Sequence, residues 1–251
     1  MIKISVITVA FNSCGTIRDT IGSVLAQTHP AVEYIIIDGR STDGTVDIIR
    51  SYGGKISKFV SEPDKGIYDA MNKGLMLATG DVVCFLNSDD LYADPGVLSR
   101  VAKAFGDHAV DCVYGDLQYV DKNNVEKVVR LWRSRSYQPG LFKMGWYPPH
   151  PAFFVKKGIF EKYGNFDLKF RISADYELTL RFLEKHRISS FYLPGVLAKM
   201  RVGGESNRSL INILKANIEC YMAWKENGLS YNVMNAFLKP LHKAGQYISR
   251  E

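Results

Sequence analysis

The sequence predicts an α/β protein with a mostly parallel central sheet flanked by helices. Over the first half of the chain, short β-branched apolar runs alternate with segments of helical periodicity, which is the pattern of successive βαβ units. The runs are nearly continuously apolar, as parallel strands buried on both faces require. The chain has 251 residues, 46% hydrophobic and 23% charged, so its composition is that of a folded protein and excludes a disordered chain.

The first 115 residues are predicted to form strands and helices in strict alternation. The strands are the apolar runs at 2–11, 32–37, 56–60, 81–86 and 110–114. The helices have apolar residues three and four positions apart and cover 16–26, 45–52, 67–78 and 94–105. Asp94 and Pro95 mark the start of the last helix, because aspartate is a good N-cap and proline is favoured at the first helical position.

The second half of the chain has a different pattern. Apolar runs at 117–120 and 125–131 flank a polar turn and predict a β-hairpin. Further strands are predicted at 152–155 and 188–193, with a helix at 174–185 between them. After Gly203 and Gly204 the pattern becomes helical, with predicted helices at 209–225 and 231–247. We therefore predict one domain over 1–205 and a C-terminal helical extension over 206–251.

Polar side chains follow four of the predicted strands at the points where those strands end. Asn12 follows the first strand, Asp38 the second and Asp64 the third, while residues 87–90 follow the fourth. Ligands of parallel α/β sheets bind beyond the carboxyl ends of the strands. The sequence therefore predicts a ligand site at this edge of the sheet.

Familiar nucleotide-binding loops are missing from this edge. No GxGxxG motif follows the first strand, which disfavours a dinucleotide enzyme, and Thr45 stands at the lysine position of a phosphate-binding loop. A phosphorylated ligand here would need a divalent cation, which prefers oxygen ligands. Asn87-Ser88-Asp89-Asp90 offers such oxygens, and two adjacent carboxylates repel each other unless a cation shares the site. The alternative is an ordinary turn with an aspartate cap.

Six segments form an ordered set of motifs over about four fifths of the chain, roughly residues 3–204. They are SVITVAFN at 5–12, IDGRSTDGT at 37–45, SEPDKGIYDAMNKG at 61–74, ATGD at 78–81, FLNSDD at 85–90 and SADYEL at 173–178. In this combination the chain resembles the family-2 glycosyltransferases with the GT-A fold, especially bacterial enzymes that build capsule, exopolysaccharide or O-antigen units. The resemblance implies a donor half over about 1–115 and an acceptor half over about 116–205.

The resemblance also implies a donor site, a metal site and a general base. Residues implied to contact the nucleotide sugar are Phe11, Asn12, Asp38, Asp64, Lys65, Asn87, Ser88 and Asp89. Asp89 is implied to bind a divalent metal, Mn²⁺ or Mg²⁺, with His150 as a further ligand. Asn87 departs from the family pattern, because many members have an aspartate there. Asp175 is implied to be the base that deprotonates the acceptor hydroxyl.

Several of these features have ordinary structural alternatives. An acid at position 175 would also stabilise the first turn of a helix, and His150 would also suit a rigid proline-flanked loop. The stretch 127–149 has five Lys or Arg residues, five aromatic residues and no acid. It is expected to engage the acceptor or a membrane surface, with an exposed hairpin and core loop as the alternative. The apolar stripe of the helical extension is open to packing on the domain or to membrane binding.

We therefore expect an inverting glycosyltransferase that moves a sugar from a nucleoside-diphosphate sugar to a hydroxyl of a lipid-linked saccharide in cell-surface polysaccharide biosynthesis. We expect a cytoplasmic protein with peripheral contact at the inner face of the cytoplasmic membrane and no nucleic-acid partner. One alternative is a sugar-phosphate nucleotidyltransferase, which the chain disfavours because its N-terminus lacks a glycine-rich nucleotide loop. The other is a non-catalytic module whose net charge of +6 binds nucleic acid or membrane.

Overall fold

The structure is a computed structural model that describes residues 1–203 and 210–230. The strands within these ranges are β1 Ile4–Ala10, β2 Val32–Asp38, β3 Lys58–Ser61, β4 Val82–Phe85, β5 Asp90–Tyr92, β6 Cys112–Val120, β7 Val128–Trp132, β8 Phe153–Lys156 and β9 Ser190–Arg201. The helices are α1 Ile17–Leu25, α2 Thr45–Arg50, α3 Ile67–Leu77, α4 Val97–Asp107, α5 Lys157–Tyr163, α6 Ala174–Leu180 and α7 Leu210–Glu226. The helix predicted at 231–247 lies outside the described residues.

All of these strands belong to one sheet. Their order is β3-β2-β1-β4-β8-β6-β9-β5, and β7 pairs with β6. The donor half contributes the parallel block β3-β2-β1-β4. β8 is antiparallel to both β4 and β6, so it joins the two halves within the sheet. The predicted α/β class, with the GT-A-like arrangement of sheet and flanking helices, is confirmed.

Both faces of the sheet are buried, which explains the continuously apolar strands. In β1, Ile7 and Val9 face one hydrophobic core, while Ile4 and Val6 face the other. Helix α3 covers the first face, and α1 and α4 cover the second. The carboxyl ends of β1, β2 and β4 therefore remain as the part of the donor half where polar loops collect.

Several elements differ from the predicted ones, and α4 begins at Val97 with Gly96 as its N-cap rather than at Asp94. The strand predicted at 110–114 continues to Val120 as β6, which forms the predicted hairpin with β7. The strand predicted at 188–193 continues to Arg201 as β9, because it pairs with β6 along its length. Two short elements, β5 and α5, were not predicted, since three and seven residues carry too little periodicity to be recognised.

Helix α7 packs on the main body of the molecule. Ala223 and Trp224 are buried in the core that also contains Tyr176 of α6. The outward side of the helix carries the exposed large apolar side chains Ile211, Ile213, Leu214, Ile218, Tyr221 and Met222, together with polar residues such as Lys215 and Glu226. The boundary near residue 205 stays a prediction, because 204–209 lie outside the described residues. Neither described range contains a helix long and apolar enough to cross a membrane.

Candidate active site

Phe11 and Asp64 lie on either side of Gly39, at the carboxyl ends of the first strands. A Cβ atom at Gly39 would lie 2.5 Å from Asp64 Oδ2 and 3.3 Å from Phe11 Cδ2, so only glycine leaves room for this approach. The Phe11 side chain is 64% exposed, which is high for a large apolar residue. The structure thus brings these two predicted donor residues together and leaves an aromatic ring open for stacking.

Asn12 ties the loop after β1 to the loop after β2. Its backbone N–H donates to Ser41 Oγ at 2.8 Å, and its Oδ1 accepts from the Thr42 N–H at 3.0 Å. Asn12 and Arg40 both have left-handed backbone conformations, with φ angles of 47° and 63°. Asparagine tolerates this region better than most residues, so the two hydrogen bonds stabilise a loop shape that the sequence favours.

Asp38 is completely buried at the end of β2. Its carboxylate accepts hydrogen bonds from the Ser41 N–H at 3.0 Å, from Ser41 Oγ, and from Ser61 Oγ at 2.6 Å. Asp38 therefore fixes the loop that carries the partners of Asn12, and it links β2 to the end of β3. Its predicted contact with a nucleobase stays a prediction.

The segment after β4 contains a completely buried acid, Asp90, next to the half-buried Asp89. Ser88 lies 2.7 Å from Ser13 through their hydroxyl oxygens, which joins this segment to the loop after β1. Asn87 Oδ1 and both carboxylate oxygens of Asp90 are buried without a hydrogen-bond partner in the described part of the chain. Arg201 donates to the Asp89 backbone oxygen at 2.8 Å. Unpartnered buried oxygens of this kind are costly unless another group satisfies them.

Burial and mutual repulsion disfavour the charged forms of Asp89 and Asp90, and the nearby Arg201 opposes the rise in the pKa of both. Burial raises the pKa of Asp89, and burial together with the charge of Asp89 raises the pKa of Asp90 well above its usual range. Among the residues that the structure describes, no group of three His, Cys, Asp or Glu side chains could hold a metal by itself. One or two carboxylates plus phosphate oxygens is the usual arrangement for Mg²⁺, so these residues fit a metal shared with a diphosphate.

His150, in the predicted acceptor half, packs against residues from both predicted halves. Its ring stacks on Phe85, the last residue of β4, with ring centroids 5.6 Å apart, and meets the edge of Phe166 at 5.7 Å. Burial lowers the pKa of His150, while the charge of Asp175 opposes that shift. Both ring nitrogens are buried without a partner in the described ranges. His150 is therefore a neutral imidazole near the predicted base, and its role as a metal ligand stays a prediction.

Asp175 lies in the first turn of α6 and is contacted from the donor half. Tyr68 Oη in α3 lies 3.1 Å from Asp175 Oδ1 and 2.9 Å from the Ile172 backbone oxygen. Burial, followed by the charge of Asp175, raises the pKa of Tyr68 well above its ordinary value, so the phenol stays protonated as a donor. Tyr68 lies inside one of the six sequence motifs, but nothing in the sequence alone assigns it a role.

Two other features near Asp175 were missed by the sequence analysis. Glu219 of α7 accepts three backbone hydrogen bonds from the segment just before α6, at 2.8 to 3.0 Å. Trp224 Nε1 donates to Tyr176 Oη at 2.8 Å. The helical periodicity of α7 indicated a packed face, but nothing in the sequence indicated which element it would meet.

The remaining predicted residues lie at the surface or in the aromatic stretch. Lys65 is exposed just before α3. Within 127–149, Arg130 is buried, with its guanidinium carbon 3.8 Å from the centroid of the Tyr119 ring, whereas Arg133 and Arg135 are exposed. Arg130 therefore serves the hairpin structure, and the exposed pair is the better candidate for contacts outside the protein.

Comparison with known proteins supplies the family. The profile of the family described as Glycosyl transferase family 2 matches residues 5–164, which is more than half of the chain. The chain belongs to this family. A PGL/p-HBAD biosynthesis glycosyltransferase of Mycobacterium bovis is 31% identical over 216 residues, covering 81% of this chain and 78% of the relative.

Family-2 membership favours a glycosyltransferase over both alternatives raised by the sequence. The matched range ends before Asp175, so the base assignment depends on the SADYEL motif and the local geometry.

Solved structures support the fold of this family-2 glycosyltransferase. Residues 1–349 of S. aureus TarS in complex with UDP-GlcNAc align with a TM-score of 0.69 and 18% identity, over 94% of this chain and 69% of that one. A second TarS 1–349 structure gives a TM-score of 0.64, and the chain spans only 65% of its length. Mannosyltransferase PcManGT from Pyrobaculum calidifontis, in complex with GDP-Man and Mn²⁺, gives 0.65 and 18% identity, over 97% and 73% of the two chains.

Proposed function

We propose that this family-2 glycosyltransferase moves a sugar from a nucleoside-diphosphate donor to a hydroxyl of a saccharide acceptor, with inversion at the anomeric carbon. The observation that carries the proposal is the hydrogen bond between Asp175 and Tyr68. Tyr68 belongs to α3, which begins just after Asp64 on the donor side. Tyr68 therefore connects the helix that follows Asp64 to Asp175, and a one-step displacement needs one carboxylate held near the acceptor in this way.

The donor-side residues divide into contacts and supports. Phe11 offers its exposed ring to the nucleobase, and Asp64, across Gly39, accepts hydrogen bonds from the nucleoside. Asn12 and Asp38 support these contacts, because their hydrogen bonds fix the two loops between which the nucleoside would lie. The lack of a side chain at Gly39, where a Cβ atom would lie 3.3 Å from Phe11 Cδ2, supports a pocket that is preformed.

Asp89 would hold a divalent metal, with diphosphate oxygens completing its coordination and Asn87 and Ser88 close by. The raised pKa of Asp89 and the unpartnered oxygens of Asp90 support a cation at this position. When bound, the metal would neutralise charge on the diphosphate leaving group. His150 remains the proposed further ligand, since its nitrogens are neutral and unpartnered in the described structure. The PcManGT complex with GDP-Man and Mn²⁺ supports metal use.

Asp175 would act as the general base. The acceptor oxygen attacks the anomeric carbon while the bond from that carbon to the diphosphate oxygen breaks, and the acceptor proton passes to Asp175. Tyr68 occupies Oδ1 of the carboxylate, which leaves Oδ2 to receive the proton. A single displacement of this kind inverts the anomeric centre.

The acceptor is proposed to be a lipid-linked saccharide of the cell surface, reached by peripheral contact with a membrane. The 31% identical relative, described as a PGL/p-HBAD biosynthesis glycosyltransferase, supports this class of product. The exposed Arg133 and Arg135 and the exposed apolar side of α7 support contact with an anionic, partly apolar surface.

The test is calorimetry with UDP, GDP and dTDP, each with Mn²⁺ and with EDTA. We expect one nucleotide to bind best, EDTA to weaken its binding, and Asp89→Asn to abolish the difference made by metal. Asp107→Asn is the matched control, because Asp107 is an exposed acid paired with Lys103 on the far end of α4. Equal metal dependence in wild type and Asp89→Asn would refute the metal site, and the absence of nucleotide binding would refute the proposed function.

A further inference from the structure

The segment Arg171-Ile172-Ser173, just before α6, is held by one carboxylate from α7. Glu219 Oε1 accepts from the Arg171 N–H at 3.0 Å, and Oε2 accepts from the N–H groups of Ile172 and Ser173 at 2.9 and 2.8 Å. Hydrogen bonds from backbone N–H groups to a carboxylate are stronger than those between neutral groups. Three in a row leave this segment little freedom to change its conformation.

We infer that Glu219 is a positioning residue for the general base Asp175, an inference that rests on the proposed function. The clamped segment ends two residues before Asp175. Its Ile172 oxygen is 2.9 Å from Tyr68 Oη, the same atom that contacts the Asp175 carboxylate. Glu219 therefore fixes both the start of the helix that carries the base and one partner of the tyrosine that orients it.

Helix α7 also holds the residues that follow Asp175. Trp224 bonds to Tyr176 Oη, and Asn227 Nδ2 donates to Glu177 Oε1 at 3.0 Å. Glu177 is paired in turn with Arg181 at 2.9 Å. Helix α7 and Asn227, which follows it, thus contact the segments before and after Asp175 in the sequence. A catalytic group is kept in a productive geometry by residues that fix the elements around it.

These contacts predict that replacing Glu219 lowers turnover without changing nucleotide affinity. Misplacing a catalytic group by about 1 Å is expected to lower the rate by roughly a hundredfold. The donor loops are held by Asn12, Asp38 and Ser41, none of which is bonded to α7, so nucleotide affinity should not change. Trp224 keeps the helix docked by apolar burial when Glu219 is replaced.

The experiment uses the full chain with Glu219→Ala, Glu219→Gln and the control Glu226→Ala. Glu226 lies on the same helix and forms a surface ion pair with Lys169 at 3.9 Å. Glu226→Ala therefore removes the same charge as Glu219→Ala but leaves the hydrogen bonds to residues 171–173 in place. Four quantities are measured: turnover of the nucleotide sugar that binds, affinity for its nucleoside diphosphate, melting temperature, and amide hydrogen exchange over 171–173. We expect Glu219→Ala to exchange faster and turn over at least about tenfold more slowly. Glu219→Gln, which keeps one acceptor oxygen, should be intermediate, and Glu226→Ala should match wild type.

The outcomes separate this inference from the proposed function. Faster exchange with unchanged turnover would mean that Glu219 only stabilises the fold, and the inference would fail. A parallel loss of nucleotide affinity and turnover would also overturn it. If Glu219→Ala does not fold, Glu219→Gln decides by the same criteria. If wild type binds nucleotide and Asp175→Asn is slow while both Glu219 variants equal wild type, this inference alone is wrong. If wild type binds no nucleotide, the proposed function itself fails.

Discussion

The donor side and the base side of this glycosyltransferase are held together in different ways. On the donor side the bonds run within and between the sequence motifs, as when Asp38 binds Ser41 three positions later. On the base side they come from distant parts of the chain. Tyr68 reaches Asp175 across 107 positions, and Glu219 reaches back 48 positions to Arg171. The proposed donor side also has one distant bond, from Arg201 to the Asp89 backbone oxygen across 112 positions, but its loops after β1 and β2 are joined by bonds between motifs. The placement of the proposed base depends on bonds from distant elements.

The largest expected effect is a loss of turnover, without a loss of donor affinity, when the proposed base is replaced. Asp175→Asn keeps the size of the side chain but cannot accept the proton, so turnover should fall by about 10² to 10⁴. Donor affinity should stay at the wild-type value, because the residue of the predicted donor half that bonds to Asp175 in the described ranges is Tyr68, which is not a proposed nucleotide contact. The measurements are transfer rate and calorimetric affinity, with Glu161→Gln, an exposed acid paired with Lys157, as control. Retention of more than about a tenth of the turnover would move the role of base to another carboxylate, first to Glu177.

Phe11→Ala tests the donor side, where the nucleobase is proposed to stack. Loss of a stacked aromatic ring costs roughly 1 to 3 kcal/mol per base, so nucleotide affinity should fall by about fivefold to a hundredfold. Phe11→Tyr should retain most of the affinity, because it keeps the ring. Met76→Ala is the control, since Met76 is also an exposed apolar side chain, 71% exposed and on α3. Equal affinities in Phe11→Ala and wild type would mean that the nucleobase does not stack there.

The exposed Arg133 and Arg135 are expected to contribute to binding of the acceptor or of a membrane surface. Their replacement should leave nucleotide affinity unchanged. Each Arg or Lys near an anionic surface contributes about 1 kcal/mol, so Arg133→Ser with Arg135→Ser should weaken vesicle association by about tenfold or more. The measurement is cosedimentation with vesicles containing phosphatidylglycerol. Arg50→Ser with Lys55→Ser removes the same charge from exposed positions of the donor half. A loss of nucleotide affinity in the first variant would place these arginines at the donor site instead.

Gly39→Ala tests how tightly the donor pocket is built. The added methyl group would meet Asp64 Oδ2 at 2.5 Å, and Asp64 can relieve the contact only by swinging away from its present position. We expect nucleotide affinity to fall by about tenfold, or about 1.4 kcal/mol, with melting temperature nearly unchanged. Gly54→Ala is the matched control, because a Cβ there meets nothing within 4 Å. If both variants bind equally well, Asp64 has no part in donor binding.

The smallest effect concerns stability and pH. Burial raises the pKa of Asp89 in the folded protein above its pKa in the unfolded chain. As the pH rises from the unfolded-state pKa to the folded-state pKa, the unfolded chain loses this proton more readily, so the free energy of unfolding decreases. Asp89→Asn removes this cost, and its melting temperature in EDTA should exceed that of wild type at pH 7. The difference should vanish below the usual aspartate pKa of about 3.9, where both states are protonated. A variant less stable than wild type at pH 7 in EDTA would contradict this reading of Asp89.

The strands that precede the proposed donor site could be predicted from the sequence. β1, β2 and β4, which end at Ala10, Asp38 and Phe85, follow from apolar runs alone, and the positions of the residues after them follow from topology. The base side could be predicted only as a position. Nothing local to Asp175 shows that Tyr68 contacts it, and the contact between Glu219 and Arg171 exists only once α7 packs on α6. The extents of β6 and β9 were underestimated for the same reason, since their pairing with each other sets their lengths.

The position of β8 has a mechanical consequence. This strand is hydrogen-bonded to β4 on one side and to β6 on the other, so donor and acceptor halves share a continuous backbone ladder. Rotating one half against the other, as hinge-closing enzymes do, would require those ladders to break. The separation between Phe11 at one end of the site and Asp175 at the other is therefore set when the chain folds. Any gating of substrate entry must come from segments outside the strands, and the rate of the chemical step should be insensitive to solvent viscosity.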